Sequence, residues 1–368
     1  MKITGFIFDL SKGGAQGVFV TVMNSFRKNG HEVDVVTLNL ENAVYLDNID
    51  KGIKVVSLNT SGAEKSLPAL INYVKNHDIE TAWVFGPELC VDIYWAKWLS
   101  RKDFPIIGRC INTLSVEFKY TDSLRRKYIT NALLKMFFHK ITYVIAQSNN
   151  MKDDLIENYH FKESQVKTIN NALSKKYEEE FNNSSELERD NYFLYVGRLE
   201  KQKGLHMLLT AFSQVKDKTT QLVLLGDGSQ RGSLEQLAAE LGISHRVEFV
   251  NYTNQTIQYY KKAIAVVLSS YFEGFPNVLI ESLSCGTPVV SFDLPSGPNE
   301  IIVQGVNGYL VEYCNVQKLA EKMELTMHNK WDYAKIKESA RRYAGPTILK
   351  KYADLLKQCE MDARSQNI

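Results

Sequence analysis

The chain has 368 residues, too many for one compact core and enough for two domains of about 150 to 180 residues each. Hydrophobic residues make up 44% and charged residues 23%, the balance of a soluble globular protein and unlike that of a disordered or fibrous one. A net charge of +2 supplies no global field for nucleic acid, so no nucleic-acid partner is expected.

The N-terminus, MKITGFIFDLSKGG, carries a lone lysine and a short apolar run, and reads as a first strand, not as a targeting segment. Strand-like runs follow at Glu32 to Leu38, Ile53 to Ser57, Thr81 to Phe85, Pro105 to Cys110 and Ile141 to Gln147, with amphipathic segments between several of them. Such alternation predicts a doubly wound parallel sheet. The polar, acidic stretch 174–191 holds few residues able to pack and reads as an interdomain linker. Alternation then restarts at Tyr192 to Val196, Gln221 to Leu225, Val247 to Val250, Ala263 to Ser269, Pro288 to Phe292 and Tyr309 to Val311. Two helical segments, Trp331 to Tyr343 and Thr347 to Lys357, exceed what a second sheet needs. The expected organisation is a domain over 1–173, the linker 174–191, a domain over 192–345 and a terminal helix within 346–368.

No stretch approaches the roughly 20 apolar residues of a spanning helix. Five widely spaced cysteines, Cys90, Cys110, Cys285, Cys314 and Cys359, favour reduced thiols over a disulfide frame or a zinc site. A cytoplasmic protein is expected, at most peripheral at the inner face of the cell membrane.

The most informative string is YFEGFPNVLIES, Tyr271 to Ser282. It follows an apolar strand and opens a helix, the place where an α/β sheet binds ligands. Pro276 suits the first helical position, leaving the N–H groups of Asn277, Val278 and Leu279 free for a phosphate. Glu281, about two turns along, is free to accept hydrogen bonds from sugar hydroxyls. An acidic turn before an ordinary core helix is the bland alternative; the whole string after a strand outweighs it.

At this string the chain resembles the retaining glycosyltransferases of family 4, which have the GT-B fold: two Rossmann-like domains facing across a cleft, with a last helix crossing back to the first. The resemblance implies a nucleotide-sugar donor, UDP-linked, with Glu273 near the sugar, Glu281 on the ribose and the helix N-terminus at the diphosphate. The loop Gly13, Gly14 and Ala15 matches the family's GGA loop over the donor diphosphate. YVGRLEKQKG resembles the GR...KG signature, in which Arg198 and Lys203 stabilise the leaving group. Gly226 and Asp227 of LLGDG, and main-chain groups near Tyr252, correspond to the loops that frame the base. No resident cofactor or metal is implied.

One departure concerns the first domain, where many relatives have a histidine after the strand corresponding to Pro105 to Cys110. This chain reads GRCINTLS there, so either Asn112 or Arg109 takes the polar role or the contacts to the donor sugar differ. The segment 124–145 mixes Arg125, Arg126, Lys127 and Lys135 with Leu133, Leu134, Met136, Phe137 and Phe138. It reads equally as a surface for anionic membrane or as a core helix with a solvated basic face.

The activity implied is transfer of a hexose-type sugar, with retention and without metal, to a glycan or lipid-linked glycan acceptor in cell-surface polysaccharide or lipopolysaccharide synthesis. Two rivals stay open, a nucleotide-sugar epimerase or phosphorylase on the same fold and a non-catalytic sugar-nucleotide-binding subunit.

Overall fold

The computed structural model describes residues 1–60, 65–183 and 189–365. The chain forms two compact units, Met1–Asn171 with the chain from Ile348 onward, and Ala172–Thr347.

The first unit is built on a seven-stranded sheet. Its strands are β1 (Lys2–Ile7), β2 (Glu32–Thr37), β3 (Lys54–Ser57), β4 (Thr81–Phe85), β5 (Ile106–Arg109), β6 (Tyr143–Ala146) and β7 (Val166–Thr168). They lie in the order β3-β2-β1-β4-β5-β6-β7, and every pairing is parallel. Ile3 pairs with Val33 on one side and Thr81 on the other, so β1 is covered on both edges, and its residues from Ile3 to Ile7 are buried. Burial on both faces explains the near-continuous apolar runs. The helix Gly14–Lys28 after β1 sends Phe19, Val22, Met23 and Phe26 inward at helical spacing and ends in Arg27 and Lys28, which complement its negative end. β7 was not expected: three residues long, two of them polar, it is too short to register as a strand.

The second unit has six strands, β8 (Tyr192–Val196), β9 (Gln221–Leu225), β10 (Val247–Val250), β11 (Ala265–Leu268), β12 (Val289–Phe292) and β13 (Gly308–Val311). Their order is β10-β9-β8-β11-β12-β13, again all parallel. In each sheet the order reverses at one point, between β1 and β4 and between β8 and β11. A crevice opens beyond the strand ends at such points.

The linker expectation for 174–191 is corrected. Lys175–Glu178 is helical, Glu179–Asn182 continues it as a 3-10 turn, and Tyr177 is buried with Phe181 packed beside it in the second unit's core. Two aromatics one turn apart gave this acidic stretch an apolar face. Lys261 pairs with Glu180 at 3.2 Å. Residues 184–188 of that expectation lie outside the described residues.

The last helix, Gly345–Ser365, counts from Ile348 with the first unit. Ile348, Tyr352, Leu355, Leu356 and Cys359 recur at helical spacing and are buried. The Tyr352 ring stands 5.8 Å from that of Trp83 in β4.

Candidate active site

In the second unit the expected ligand groups gather at the switch point of the sheet. Beyond β8, Gly197 turns the chain (φ 152°), Arg198 is exposed, and a 3-10 turn carries Lys203. Gly204 then adopts φ 58°, and a Cβ there would stand 2.3 Å from Ser269 O, so only glycine lets this turn pack on the end of β11. Ser269 Oγ donates to Lys203 O at 3.0 Å, and Tyr271 N to Gln202 O at 2.8 Å. These bonds lash the two loops together.

Across that seam Lys203 Nζ donates to Glu273 Oε1 at 2.7 Å, and Ser270 Oγ donates to the same oxygen at 2.6 Å. Ser296, buried, donates to the carbonyls of Glu273 and Gly274 at 3.1 and 2.7 Å, which fixes the turn that carries Glu273. Beneath it lies Tyr195, whose phenol is held far above its ordinary range by burial first and the charge of Glu273 second, with Arg198 acting in the opposite sense. Glu273, Arg198 and Lys203 are thus brought into one electrostatic neighbourhood.

The helix expected at Pro276 begins one residue later, at Asn277, with Pro276 as its cap. Two details are corrected. The N–H of Leu279 donates to Pro276 O at 3.0 Å, and Leu279 is wholly buried, so it cannot serve a ligand; Asn277 and Val278 remain at the helix end. Gly297 (φ 98°) lies against Pro276, where a Cβ would come within 2.6 Å of Cδ.

Glu281 projects from the same helix to Tyr260, whose hydroxyl donates to Oε2 at 3.0 Å. Burial raises the Glu281 pKa, while Tyr260, Lys176 and Tyr177 act to lower it. The bond from Tyr260 fixes the orientation of the Glu281 carboxyl on the helix. Tyr260 and Tyr177 were not singled out in the sequence, since they arrive from separate segments.

Gly226 ends β9 at φ 147°, and a Cβ would collide with Gly197 O at 1.9 Å. Asp227 Oδ2 accepts from the N–H of Tyr252 at 3.1 Å, so that main-chain donor, expected to face the base, is engaged within the protein. The Tyr252 ring is half exposed.

In the first unit, Gly13 caps the helix that starts at Gly14 and Ala15, and Asp9 Oδ1 accepts from Ser11 N and Gln16 Nε2 at 2.9 and 3.0 Å. Asn112 follows β5 and lines a cavity of about 400 Å³ at this sheet's own switch point. Arg109, its expected alternative, is corrected. Only 1% exposed, it donates through Nε to Tyr352 Oη at 2.8 Å, hydrogen-bonds Asn171 and lies over Phe85. It fastens the last helix and does not reach a ligand.

The segment 124–145 is broken into a π turn (Arg126–Thr130), a short helix (Asn131–Phe137) and a 3-10 turn (Phe138–Lys140). Leu134 and Phe138 are buried, but Leu124, Tyr128, Ile129 and Met136 are 71%, 66%, 56% and 56% exposed. Trp98 of the helix Pro87–Leu99 is exposed too, stacked edge-on against Trp95, which meets Phe137. Among the described residues no helix is long and apolar enough to cross a membrane.

Comparison with known proteins agrees with this geometry. Residues 12–175 match the profile of Glycosyltransferase Family 4, and residues 176–343 that of Glycosyl transferases group 1. The chain is 26% identical over 342 residues, 89% of its length and 90% of the relative's, to a Campylobacter jejuni 4-alpha-N-acetylgalactosaminyltransferase acting on an N-acetylgalactosamine-N,N'-diacetylbacillosaminyl-diphospho-undecaprenol. Among solved structures it superposes on the lipopolysaccharide outer core galactosyltransferase WaaB with TM-score 0.77, at 21% identity and coverage of 97% and 99% of the two chains. The Anabaena HepE protein in complex with UDP gives the same TM-score at 21% identity, over 97% and 100%. With two parallel-sheet units of GT-B type and both profiles matched in succession, the chain is a glycosyltransferase and belongs to the group 1 glycosyltransferases of family 4.

Proposed function

We propose that the protein transfers a sugar from a UDP-linked donor to a hydroxyl of a glycan or lipid-linked glycan, with retention of configuration and without a metal. The observation that carries this reading is the convergence of Arg198, Lys203, Glu273 and the helix end at Asn277 on one switch point. The C1–O bond to the diphosphate breaks while the acceptor oxygen bonds C1 from the same face, and the acceptor proton passes to the departing phosphate oxygen. Arg198, Lys203 and the helix end address the charge growing on that phosphate. Two cations and a helix dipole there make a metal unnecessary. Glu273 addresses the charge at C1, and Glu281 holds the ribose.

Support for UDP comes from the HepE complex, and for a lipid-linked acceptor from the Campylobacter relative. The exposed apolar residues Leu124, Tyr128, Ile129 and Met136, with Arg125, Lys127 and Lys135 beside them, favour contact with an anionic membrane surface over core packing. The deciding experiment is a melting-temperature screen with UDP-, GDP- and dTDP-sugars, followed by product analysis with and without acceptor. Stabilisation by a UDP-sugar and acceptor-dependent release of UDP are expected. Isomerised nucleotide sugar formed without acceptor would instead establish an epimerase.

A further inference from the structure

The helical turn Lys175–Glu178, in the stretch expected to be linker, brings two side chains toward Glu281 that the proposed chemistry leaves without a role. The Tyr177 hydroxyl lies 2.7 Å from Thr256 Oγ1. Lys176 Nζ stands 3.5 Å from the same Thr256 oxygen and 4.7 Å from the centre of the Tyr177 ring. Tyr177 also hydrogen-bonds the Glu281 carboxylate, which Tyr260 reaches from the helix Thr256–Lys262 at 3.0 Å. Tyr177 and Thr256 are both buried.

With Glu281 ionised, these contacts have one consistent direction. A carboxylate accepts and does not donate, so the single proton of Tyr177 goes to Glu281. Tyr177 then accepts from Thr256, and the Thr256 oxygen accepts from Lys176, whose ammonium can only donate. The result is an oriented relay with a cation at one end and a carboxylate at the other, in which each bond polarises the next.

Glu281 needs that support. Burial raises its pKa, and Tyr260, Lys176 and Tyr177, in falling order, oppose the rise. Only the ionised form accepts at both oxygens, as recognition of a vicinal diol requires. A carboxylate has about four acceptor sites; two tyrosine hydroxyls fill two and leave about two, the number that the 2′- and 3′-hydroxyls of a ribose would take. Lys176 acts on Glu281 by charge and not by a bond, so it takes none of these sites.

We propose that Tyr177 is a positioning residue for ribose recognition, aligning the Glu281 carboxylate together with Tyr260, and that Lys176 supports it through Thr256 as a remote counter-charge. The turn Lys175–Glu178 then belongs to the nucleotide site. The inference rests on the reading of Glu281 as the carboxylate that holds the ribose, and adds to it residues from a separate segment.

Calorimetry on the full chain tests it, with UDP and with 2′,3′-dideoxy-UDP, which lacks the diol. The unmodified chain should bind UDP about a hundredfold more tightly than the dideoxy form, the effect of two hydrogen bonds to a charged group. Tyr177→Phe should reduce that ratio about tenfold and Lys176→Gln about threefold, each leaving the affinity for dideoxy-UDP within about twofold. Lys176→Arg keeps the charge and should keep the ratio. Damage to packing would weaken both nucleotides alike, so the ratio separates positioning from a structural role. An unchanged ratio in Tyr177→Phe or in Lys176→Gln, or an equal loss for the two nucleotides, would overturn the proposal. Equal affinities in the unmodified chain would take Glu281 off the ribose and overturn the underlying reading as well; a preference for UDP that survives both substitutions overturns this inference alone.

Discussion

Lys203 and Glu273 form an ion pair of 2.7 Å with side chains only 15% and 11% exposed, at the point where a donor diphosphate and its sugar would meet. Neither partner is idle without ligand, so the proposed mechanism requires donor binding to redirect Lys203 from a carboxylate to a phosphate. Removing one member leaves the other buried with a reduced set of partners.

Lys203→Ala should therefore do two things. Turnover should fall roughly a hundred- to a thousandfold, the usual effect of losing a donor to developing charge. Stability should fall by about 3 kcal/mol, and Glu273→Gln in the same chain should restore part of it. Arg198→Ala, at an exposed position, should match the turnover loss while leaving the melting temperature within about a degree or two. Unchanged kcat in both variants would remove the pair from the site.

Arg109 offers the opposite separation of stability from ligand binding. Replacing it by Met strands Tyr352 and Asn171 without their buried donor and should cost roughly 3–5 kcal/mol, whereas Tyr352→Phe should cost about 1–2 kcal/mol. Urea midpoints measure both. UDP affinity of whatever remains folded should change little, because Arg109 touches none of the residues proposed to hold the nucleotide, and Arg198, Lys203 and Glu281 belong to the other unit.

That residue also marks the limit of what the sequence discloses. Glu273, Glu281 and Asn277 lie on one uninterrupted strand, turn and helix, so local pattern alone brings them together. The partner that buries Arg109 sits 243 positions away, and no spacing rule reports it. Glu88, Glu117 and Arg126, which line the cavity beside Asn112, likewise come from three elements that meet only after folding. The thirteen strands among the described residues divide the same way: twelve declare themselves as apolar runs, and β7 does not, because its pairing with β6 and not its composition makes it a strand.

Asp92, one turn beyond Glu88, gives a pH prediction. Burial pushes its carboxyl up to about 7, Ser66 Oγ at 3.4 Å opposes the rise, and the charge of Glu88 adds to it. A raised carboxyl pKa favours the folded state below its unfolded value near 4, and that contribution is lost as pH rises through 7. The penalty above pH 7 is at most about 4 kcal/mol. Asp92→Asn should consequently be no more stable than the unmodified chain at pH 4 and clearly more stable at pH 8. A stability difference independent of pH would show that Asp92 does not titrate in this range.

The membrane contact proposed for the segment 124–145 is tested through its charge. Replacing Arg125, Lys127 and Lys135 with Gln should cost roughly 3 kcal/mol of binding to phosphatidylglycerol vesicles, about a hundredfold in partition. Arg126 is left in place because it is committed to Glu88 and Glu117. Sedimentation with neutral vesicles should be weak for both proteins. Equal sedimentation of the two with anionic vesicles would count against a lipid-facing surface.

The two glutamates of the strand-turn-helix unit should differ in kind. Glu281, oriented by Tyr260, would hold the ribose in donor and transition state alike, so Glu281→Ala should raise KM for the donor and weaken UDP binding with kcat nearly unchanged. Tyr260→Phe should reproduce a milder form of that phenotype, roughly three- to tenfold in UDP affinity, through loss of one hydrogen bond to a charged group. Glu273 stands beside the reacting carbon in this scheme and matters most once charge has developed there. Glu273→Gln keeps the shape and removes the charge, so kcat should fall much more than affinity for bare UDP, which carries no sugar. Calorimetry with UDP beside steady-state kinetics separates the two. If Glu273→Gln lost UDP affinity and kept its turnover at saturation, while Glu281→Ala did the reverse, the ribose and sugar assignments would have to be exchanged.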